Sequence, residues 1–589
     1  MPDAVRNETT MNNVHRKTCR WNAGLAGRLA GVAVALALGT ANFAAAQAPA
    51  LPSATLPSQQ PLPQPEFRKP PPELLRLPPV SPPQAEDLPT LMRVTVRKIR
   101  FTGNTVIPTG ELEKIAAPFE ARELTSTDLE ELRQLLTKEY IDRGYINSGA
   151  VIPDQKISDG VVEIRIVEGR LTQIEIDGTI HFNKEYFSDR IALHAGPPLN
   201  IRDLEQELQI LLRDPLVRSM NAQLVPGERP GEAVLRAQVA EQPRYDLAAV
   251  IDNKISPSLG EAKLNLLGSV HNLAGRGDTL GAEFGYAQGI PYDFKLRYRT
   301  PVTARDTAVG IKYENTRAEV VESPFDALDI VSRLETIGMQ VSHPVYRTPS
   351  QQLELAALLE RLETQSTLLG VPFSFSPGVV DGRAVVSALR LVADYVDRGR
   401  TQVIAARSTL SIGLDAFGST IHADEPDSRF VVWLGQFQWV RRLSEERGDQ
   451  VRVRADVQLT NDALLPIEQY AVGGLDSVRG YRTFQLLRDR GYTVSVEYRI
   501  PVLNDPTGMP NLQLAAFVDT GGAKFKRRPN DSPSSLTGAG VGLVWNPRPE
   551  ISAELYVAHA FTNIADQPGH SLQDDGVYFR LVLQPAWFR

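Results

Sequence analysis

The stretch DQVRVRADVQL, residues 449–459, decides the reading of this chain. Val451, Val453, Ala455, Val457 and Leu459 fall on one parity, and Arg452, Arg454, Asp456 and Gln458 on the other. Side chains alternate across a strand, so this segment has one apolar and one strongly charged face. YTVSVEYRI, residues 492–500, repeats the pattern: Tyr492, Val494, Val496, Tyr498 and Ile500 oppose Thr493, Ser495, Glu497 and Arg499. A soluble sandwich strand also alternates, but its segments are usually shorter and its charged face meets solvent. Working outward, sixteen such segments lie between Arg244 and the C-terminus. Sixteen is even, as in bacterial outer-membrane barrels, and about 9–11 residues cross a bilayer when tilted. Trp433, Trp439 and Tyr556 lie near strand ends and suit interfacial aromatic girdles. The chain finishes VYFRLVLQPAWFR, another alternating strand.

Composition agrees with a barrel. The chain has 589 residues, a formal net charge of −7 and 42% hydrophobic residues, with a mean hydropathy of −0.20. A helical membrane protein would be far more apolar, whereas a barrel shows lipid only every second residue. The mild acidity gives no electrostatic footprint for nucleic acid. Arg16, Lys17 and Arg20 precede an apolar run, LAGVAVALALG at 29–39, and Ala44-Ala45-Ala46 offers a cleavage site. This is the pattern of a secretory signal peptide over residues 1–46, too short to be a spanning anchor. Cys19, the only cysteine, lies inside it, so the processed chain can form no disulfide. No later segment has the unbroken apolar length of a spanning helix, so membrane entry would have to be as a barrel.

Residues 47–92 read as a proline-rich linker, with 14 of the 43 prolines between 49 and 90. PPELLRL at 71–77 could form at most a turn or two of helix. Order begins near Arg93. VTVRKIRF (94–101) reads as a strand, followed by a short helix near 111–117. A second helix has capping-box spacing at Thr127 and Glu130 and an apolar stripe of Leu129, Leu132, Leu136 and Tyr140. Strands at 150–157 and 161–167 complete a unit over residues 93–169. The same order recurs over 170–243: strand 171–176, helix 184–194, a helix capped by Asn200, then strands 217–225 and 233–241. The fold class is therefore an α+β repeat followed by an all-β barrel of sixteen antiparallel strands over residues 244–589.

No motif for chemistry stands out. The eight histidines are scattered, and metalloprotease, phosphate-loop and nucleophile-elbow patterns are absent. Gly538, Gly540 and Gly542 form a G-x-G-x-G run without a following helix, which points to close packing on a barrel wall. An enzyme is not expected, nor a metal or cofactor. Two features remain. GGLDSVRGY, residues 473–481, joins the eleventh and twelfth strands and is poor material for a membrane strand. In LQLAAFVD, parity sends Leu512, Leu514, Ala516 and Val518 outward and Gln513, Ala515, Phe517 and Asp519 inward. Asp519 could pair with an arginine folded in from a loop, with Arg499 next door, or with water.

Two POTRA-like units, the SVRGY stretch (Ser477 to Tyr481) and the F-x-D-x-G stretch of Phe517, Asp519 and Gly521 make residues 94–589 similar to the two-partner secretion transporters. These are also called the hemolysin activation/secretion family, within the superfamily of the outer-membrane barrel-assembly factor. The resemblance implies an outer-membrane location, POTRA domains in the periplasm, and a sixth extracellular loop folded into the lumen. That loop carries Val478, Arg479, Gly480 and Tyr481, and Arg479 contacts Asp519 on the wall. It implies that the POTRA units bind a large adhesin- or hemolysin-like β-helical partner, which crosses extended, without ATP, and folds outside. Outer-membrane lipid surrounds the barrel, and periplasmic chaperones and barrel-assembly machinery serve its biogenesis. The family's frequent N-terminal plug helix is in conflict with the proline content here, and Arg589 after Phe588 departs from the usual terminal aromatic. A barrel-assembly factor is the alternative, though more than two POTRA units would be usual. A passive porin would leave the periplasmic units and both motifs unexplained.

Overall fold

A computed structural model of the chain describes residues 93–585 except 158, 445, 506, 507, 509, 565, 566 and 568, together with 56, 60, 62, 67, 75 and 76. The signal segment with Cys19, most of the linker including any plug helix, and the Phe588-Arg589 terminus lie outside the described residues.

Leu75–Arg76 (β1) precedes a first α+β unit of β2 (Arg93–Val96), β3 (Lys98–Thr102), α1 (Thr109–Ala116), β4 (Arg122–Thr125), α2 (Ser126–Asp142), β5 (Gly149–Val151) and β6 (Val161–Val167). The sheet runs β3-β6-β5, and β2 pairs with β4. Leu132, Leu136 and Tyr140 of α2 are fully buried against Ile99, Leu112, Val162 and Ile164. The capping box differs from the one expected at Thr127 and Glu130. Thr125 is the cap: its hydroxyl accepts from the Asp128 amide, and the Asp128 carboxylate accepts from the Thr125 amide at 2.7 Å. Glu130 instead pairs with Arg133. The strand expected at 150–157 ends at Val151, two residues before Pro153, which has no N–H to give a ladder. Gln155 takes over by bonding both backbone groups of Glu163 at 2.8 Å.

The second unit repeats the order with β7 (Arg170–Asp177), α3 (Lys184–His194), α4 (Ile201–Leu211), β8 (Val217–Pro226) and β9 (Glu232–Glu241). The Asn200 side chain caps α4 by accepting from the Arg202 amide, and Leu204, Leu208 and Leu211 enter its core. Its sheet is ordered β1-β8-β9-β7. Leu75 and Arg76, expected at most as a helical turn, lie instead as a parallel strand against Ala222 and Gln223. The outer edge of β8 would otherwise leave a row of unpaired backbone groups.

From Tyr245 the chain closes a barrel of sixteen antiparallel strands, with a two-residue piece, Val371–Pro372, added in one hairpin. Parity is clear where the loop docks. On Pro510–Lys524, Leu514 and Val518 face out while Ala515, Phe517 and Asp519 are buried inside. The first strand, Tyr245–Asp252, meets the last, Val577–Leu583, through four described residue pairs, Ala249 to Asp252 with Leu583 to Arg580. Asn253 extends this short seam with its side chain, donating to the Val577 carbonyl and accepting from the Phe579 amide, each at 2.9 Å.

The second unit is fastened to three turns at the near end of the barrel. Arg190 of α3 donates to Asp306 at 2.9 and 2.5 Å, stacks 3.7 Å from the Tyr186 ring centroid, and shares Asp306 with Arg347. The Asn183 amide donates to the Gly275 carbonyl at 2.9 Å, and Arg213 donates to the Pro349 carbonyl at 2.7 Å. Two described linker residues touch the inner wall. The Gln60 carbonyl accepts from Gln436 at 3.2 Å, and Arg442 lies 4.5 Å from the Phe67 ring centroid.

Candidate functional site

The connection 461–489 between the eleventh strand, Gln450–Thr460, and the twelfth, Arg490–Asn504, does not project beyond the far end. It folds back inside the ring, where a small hairpin of Tyr470–Val472 with Leu486–Arg488 organises it. Val478 and Tyr481 are buried with Leu434, Tyr470, Val472, Leu486, Ala523 and Leu536.

Arg479 is the centre of this region, with 2% of its surface exposed. Its Nε donates to Asp519 Oδ2 at 2.7 Å and its Nη2 to Oδ1 at 3.0 Å, a bidentate pair. Its backbone amide donates to the same carboxylate at 3.1 Å. Nη1 donates to Glu497 at 2.6 Å. The guanidinium lies 3.4 Å from the Phe517 ring centroid and 4.8 Å from that of Tyr556, so it sits in a corner of two aromatic rings as well as being paired. Arg499, the other arginine weighed for Asp519, turns to Glu497 at 2.5 Å and to the Tyr556 hydroxyl at 3.0 Å.

The neighbours of Arg479 are held as firmly. Gly480 adopts φ 101°, a left-handed conformation that disfavours a side chain. Its amide donates to the Tyr578 hydroxyl at 2.8 Å, and that hydroxyl donates to the Tyr481 carbonyl at 2.7 Å. The Tyr481 hydroxyl donates to the Thr537 carbonyl at 2.6 Å. Gly521, opposite Thr493, leaves room for Val472 of the loop: a Cβ there would lie 3.0 Å from a Val472 methyl.

Three components of the site were not singled out for it in the sequence: Glu497, Tyr556 and Tyr578. Tyr556 was expected in an interfacial girdle and is instead buried in the lumen against Phe517, at 5.8 Å and 78°. Its register partners Gly542 and Tyr578 share its inward parity, which a position near a strand end does not reveal. The glycine run was the available signal. A Cβ on Gly538 would lie 2.1 Å from the Arg479 carbonyl oxygen, and one on Gly542 would lie 2.2 Å from the Tyr556 ring. The glycines form a trough on the inner wall into which the loop and its aromatic seat sink.

Comparison with known proteins fits this geometry. A family model described as "Haemolysin secretion/activation protein ShlB/FhaC/HecB" matches residues 231–545, and one described as "POTRA domain, ShlB-type" matches 94–169. The outer membrane transporter CdiB of Dickeya dadantii is 25% identical over 478 residues, covering 76% of this chain and 80% of that protein. The heme/hemopexin transporter protein HuxB of Haemophilus influenzae is 21% identical, covering 80% and 84%. The solved structure of CdiB from Escherichia coli shares the fold, with a TM-score of 0.63, 22% identity and coverage of 86% and 93%. With more than half of its length matched by the family model, this chain belongs to the haemolysin secretion/activation family and is an outer-membrane transporter of partner proteins with its POTRA region in the periplasm.

Proposed function

We propose that the chain captures one large secreted partner in the periplasm through two POTRA domains, residues 93–169 and 170–243, and passes it through the lumen of a barrel spanning 244–589. Residues 1–46 direct the chain to export and 47–92 link it to the POTRA region. The partner is a large adhesin- or hemolysin-like protein that forms a β-helix outside. It crosses extended, and its folding on the far side supplies direction without ATP. Periplasmic chaperones and the barrel-assembly machinery bring the transporter itself to the membrane.

The observation that carries this reading is the loop 461–489, folded into the lumen and tied to the wall through Arg479 and Asp519. A passive pore has no use for such an obstruction, whereas a conduit for one client does. Val478, Gly480 and Tyr481 seat the loop, and Phe517, Asp519 and Gly521 form its wall partner. Capture by strand addition is supported by β8, whose edge already accepts Leu75 and Arg76 as a parallel strand.

The test compares secreted and outer-membrane proteins with and without the gene. Loss of one large secreted protein with other barrels unchanged is expected. An unchanged medium with depleted barrels would point instead to an assembly factor. A chain lacking residues 94–243 is expected to insert and not secrete. Continued export by it would move recognition into the barrel.

A further inference from the structure

The loop inside the barrel is tied to the wall a second time, at its other end. Leu464, Leu465 and Ile467 pack on Ala384, Val386 and Ala388 of the eighth strand, Arg383–Arg398, and on Phe430 and Val432. This delivers Glu468 to Arg390. Glu468 is 1% exposed and Arg390 3%. Nη2 of Arg390 donates to Glu468 Oε1 at 2.7 Å and Nη1 to Oε2 at 3.0 Å, again bidentate. The same guanidinium donates to Glu360 of the seventh strand at 2.6 Å and to Ser411 of the ninth at 2.8 Å. Lys312 of the fifth strand pairs with Glu360.

Charge shows why the loop belongs there. At this face the wall contributes two cations, Lys312 and Arg390, and one anion, Glu360. A net positive charge sealed at this depth is costly unless paired, and Glu468 of the loop supplies the missing negative. At the other face Arg499 pairs with Glu497 and lies 4.0 Å from Glu554, while Asp519 stands beside them. Among the described ion pairs the cation facing Asp519 comes from the loop, as Arg479. The loop thus supplies opposite charges at the two faces, an anion at Glu468 and a cation at Arg479.

We propose that Arg390 and Glu360 are a second anchor for this loop, through Glu468, and that the loop works as a strap held by Glu468 at one end and, at the other, by Arg479 together with the Asp476–Lys254 and Arg482–Glu322 pairs. The charges set which half of the loop meets which wall, and export depends on both attachments. Arg390 and Glu468 are thus positioning residues of the transport machinery, on a different wall from the Arg479 site.

The proposal rests on the export reading, so its test includes a measurement that needs no partner. Glu468→Gln keeps the size and hydrogen-bonding capacity of the side chain and removes its charge. Secretion is expected to fall about tenfold at normal barrel level, as for loss of a buried charge partner. In planar bilayers the purified full-length variant is expected to open more often than the parent. The exchange Arg390→Glu with Glu468→Arg restores neutrality with Lys312 and Glu360, and is expected to secrete better than either single change. Parental secretion and parental conductance by Glu468→Gln would overturn the second anchor. So would an exchanged pair no better than the worse single variant. Altered conductance with no partner found would leave the anchor standing and count against the export reading alone.

Discussion

Two buried arginines in this molecule are built from the same parts and do different work. Arg479 in the lumen and Arg190 beneath the barrel each pair with an aspartate and stack on an aromatic ring, Asp519 with Phe517 and Asp306 with Tyr186. The surroundings differ. Asp519 is 0% exposed and is committed to Arg479, with Glu497 and Arg499 completing a sealed set. Asp306 is 21% exposed at its side chain and serves two arginines, Arg190 and Arg347. The first arrangement is closed to water on every side, and the second is a shared, wetter junction between two domains. Identical chemistry therefore carries very different energies, because solvent competes for one and not for the other.

The comparison predicts unequal effects. Arg479→Ala leaves Asp519 without its cation, while Glu497 keeps Arg499, a loss of about 3–5 kcal/mol at a buried pair. Secretion is expected to drop more than tenfold, while the sixteen-strand ladder keeps the barrel in the membrane. Heat-modifiable migration of the outer-membrane protein checks the second point. Normal export by this variant would end the role given to Arg479. Gly538→Ala tests the same seat without touching a charge. Its methyl would meet the Arg479 carbonyl at 2.1 Å, so the loop must shift. A several-fold loss of secretion is expected, since overpacking a tight contact costs about 1–3 kcal/mol. Equal secretion by Gly538→Ala and its parent would mean that the loop does not need its observed depth.

At the junction, Arg190→Ala is expected to have a smaller effect, because Arg347 remains to neutralise Asp306 and the contacts of Asn183 and Arg213 persist. Secretion should fall only two- to threefold. Protease cleavage between the second α+β unit and the barrel, near residues 242–244, should rise at low salt, and added salt should bring the parent toward the variant, as expected on screening a partly exposed pair. A loss as deep as that of Arg479→Ala would make the two sites equivalent and defeat the comparison.

Much of this contrast was legible in the sequence, but only along single strands. Alternation in DQVRVRADVQL and YTVSVEYRI gave the barrel, and parity in LQLAAFVD turned Asp519 inward. Periodicity and the Asn200 cap located the helices of the second unit. What escaped depends on register between strands. Nothing local to Tyr556 or Glu497 says that they flank Phe517, since that neighbourhood is made by pairing four strands in one alignment. The G-x-G-x-G run announced close packing without saying what approaches. The capping box was misplaced by two residues because Thr125 and Thr127 both offer a hydroxyl with an acid three residues on. Pairing of β4 with β2, a contact outside the helix, favours the earlier start.

The junction can be probed more finely at Glu241, which shapes the turn leading into α3 and hence the approach of Arg190 to Asp306. Its carboxylate accepts from the amides of Ile180, His181 and Phe182 at 2.7, 3.0 and 3.0 Å. Burial pushes the Glu241 carboxyl upward, but the three amides outweigh it and hold the group below the usual glutamate range. A carboxyl lowered on folding contributes stability that is present above its unfolded pKa. That contribution is lost as pH falls through the folded value. Hydrogen-exchange protection at residues 180–182, corrected for intrinsic rates, should therefore weaken below about pH 4 in the parent. Glu241→Gln should show lower protection at neutral pH, by about 1 kcal/mol, and no such acid step. If parent and variant lost protection in parallel on acidification, the step would belong to another carboxylate. Glu241 would then be no more than one acceptor among several at the base of the barrel.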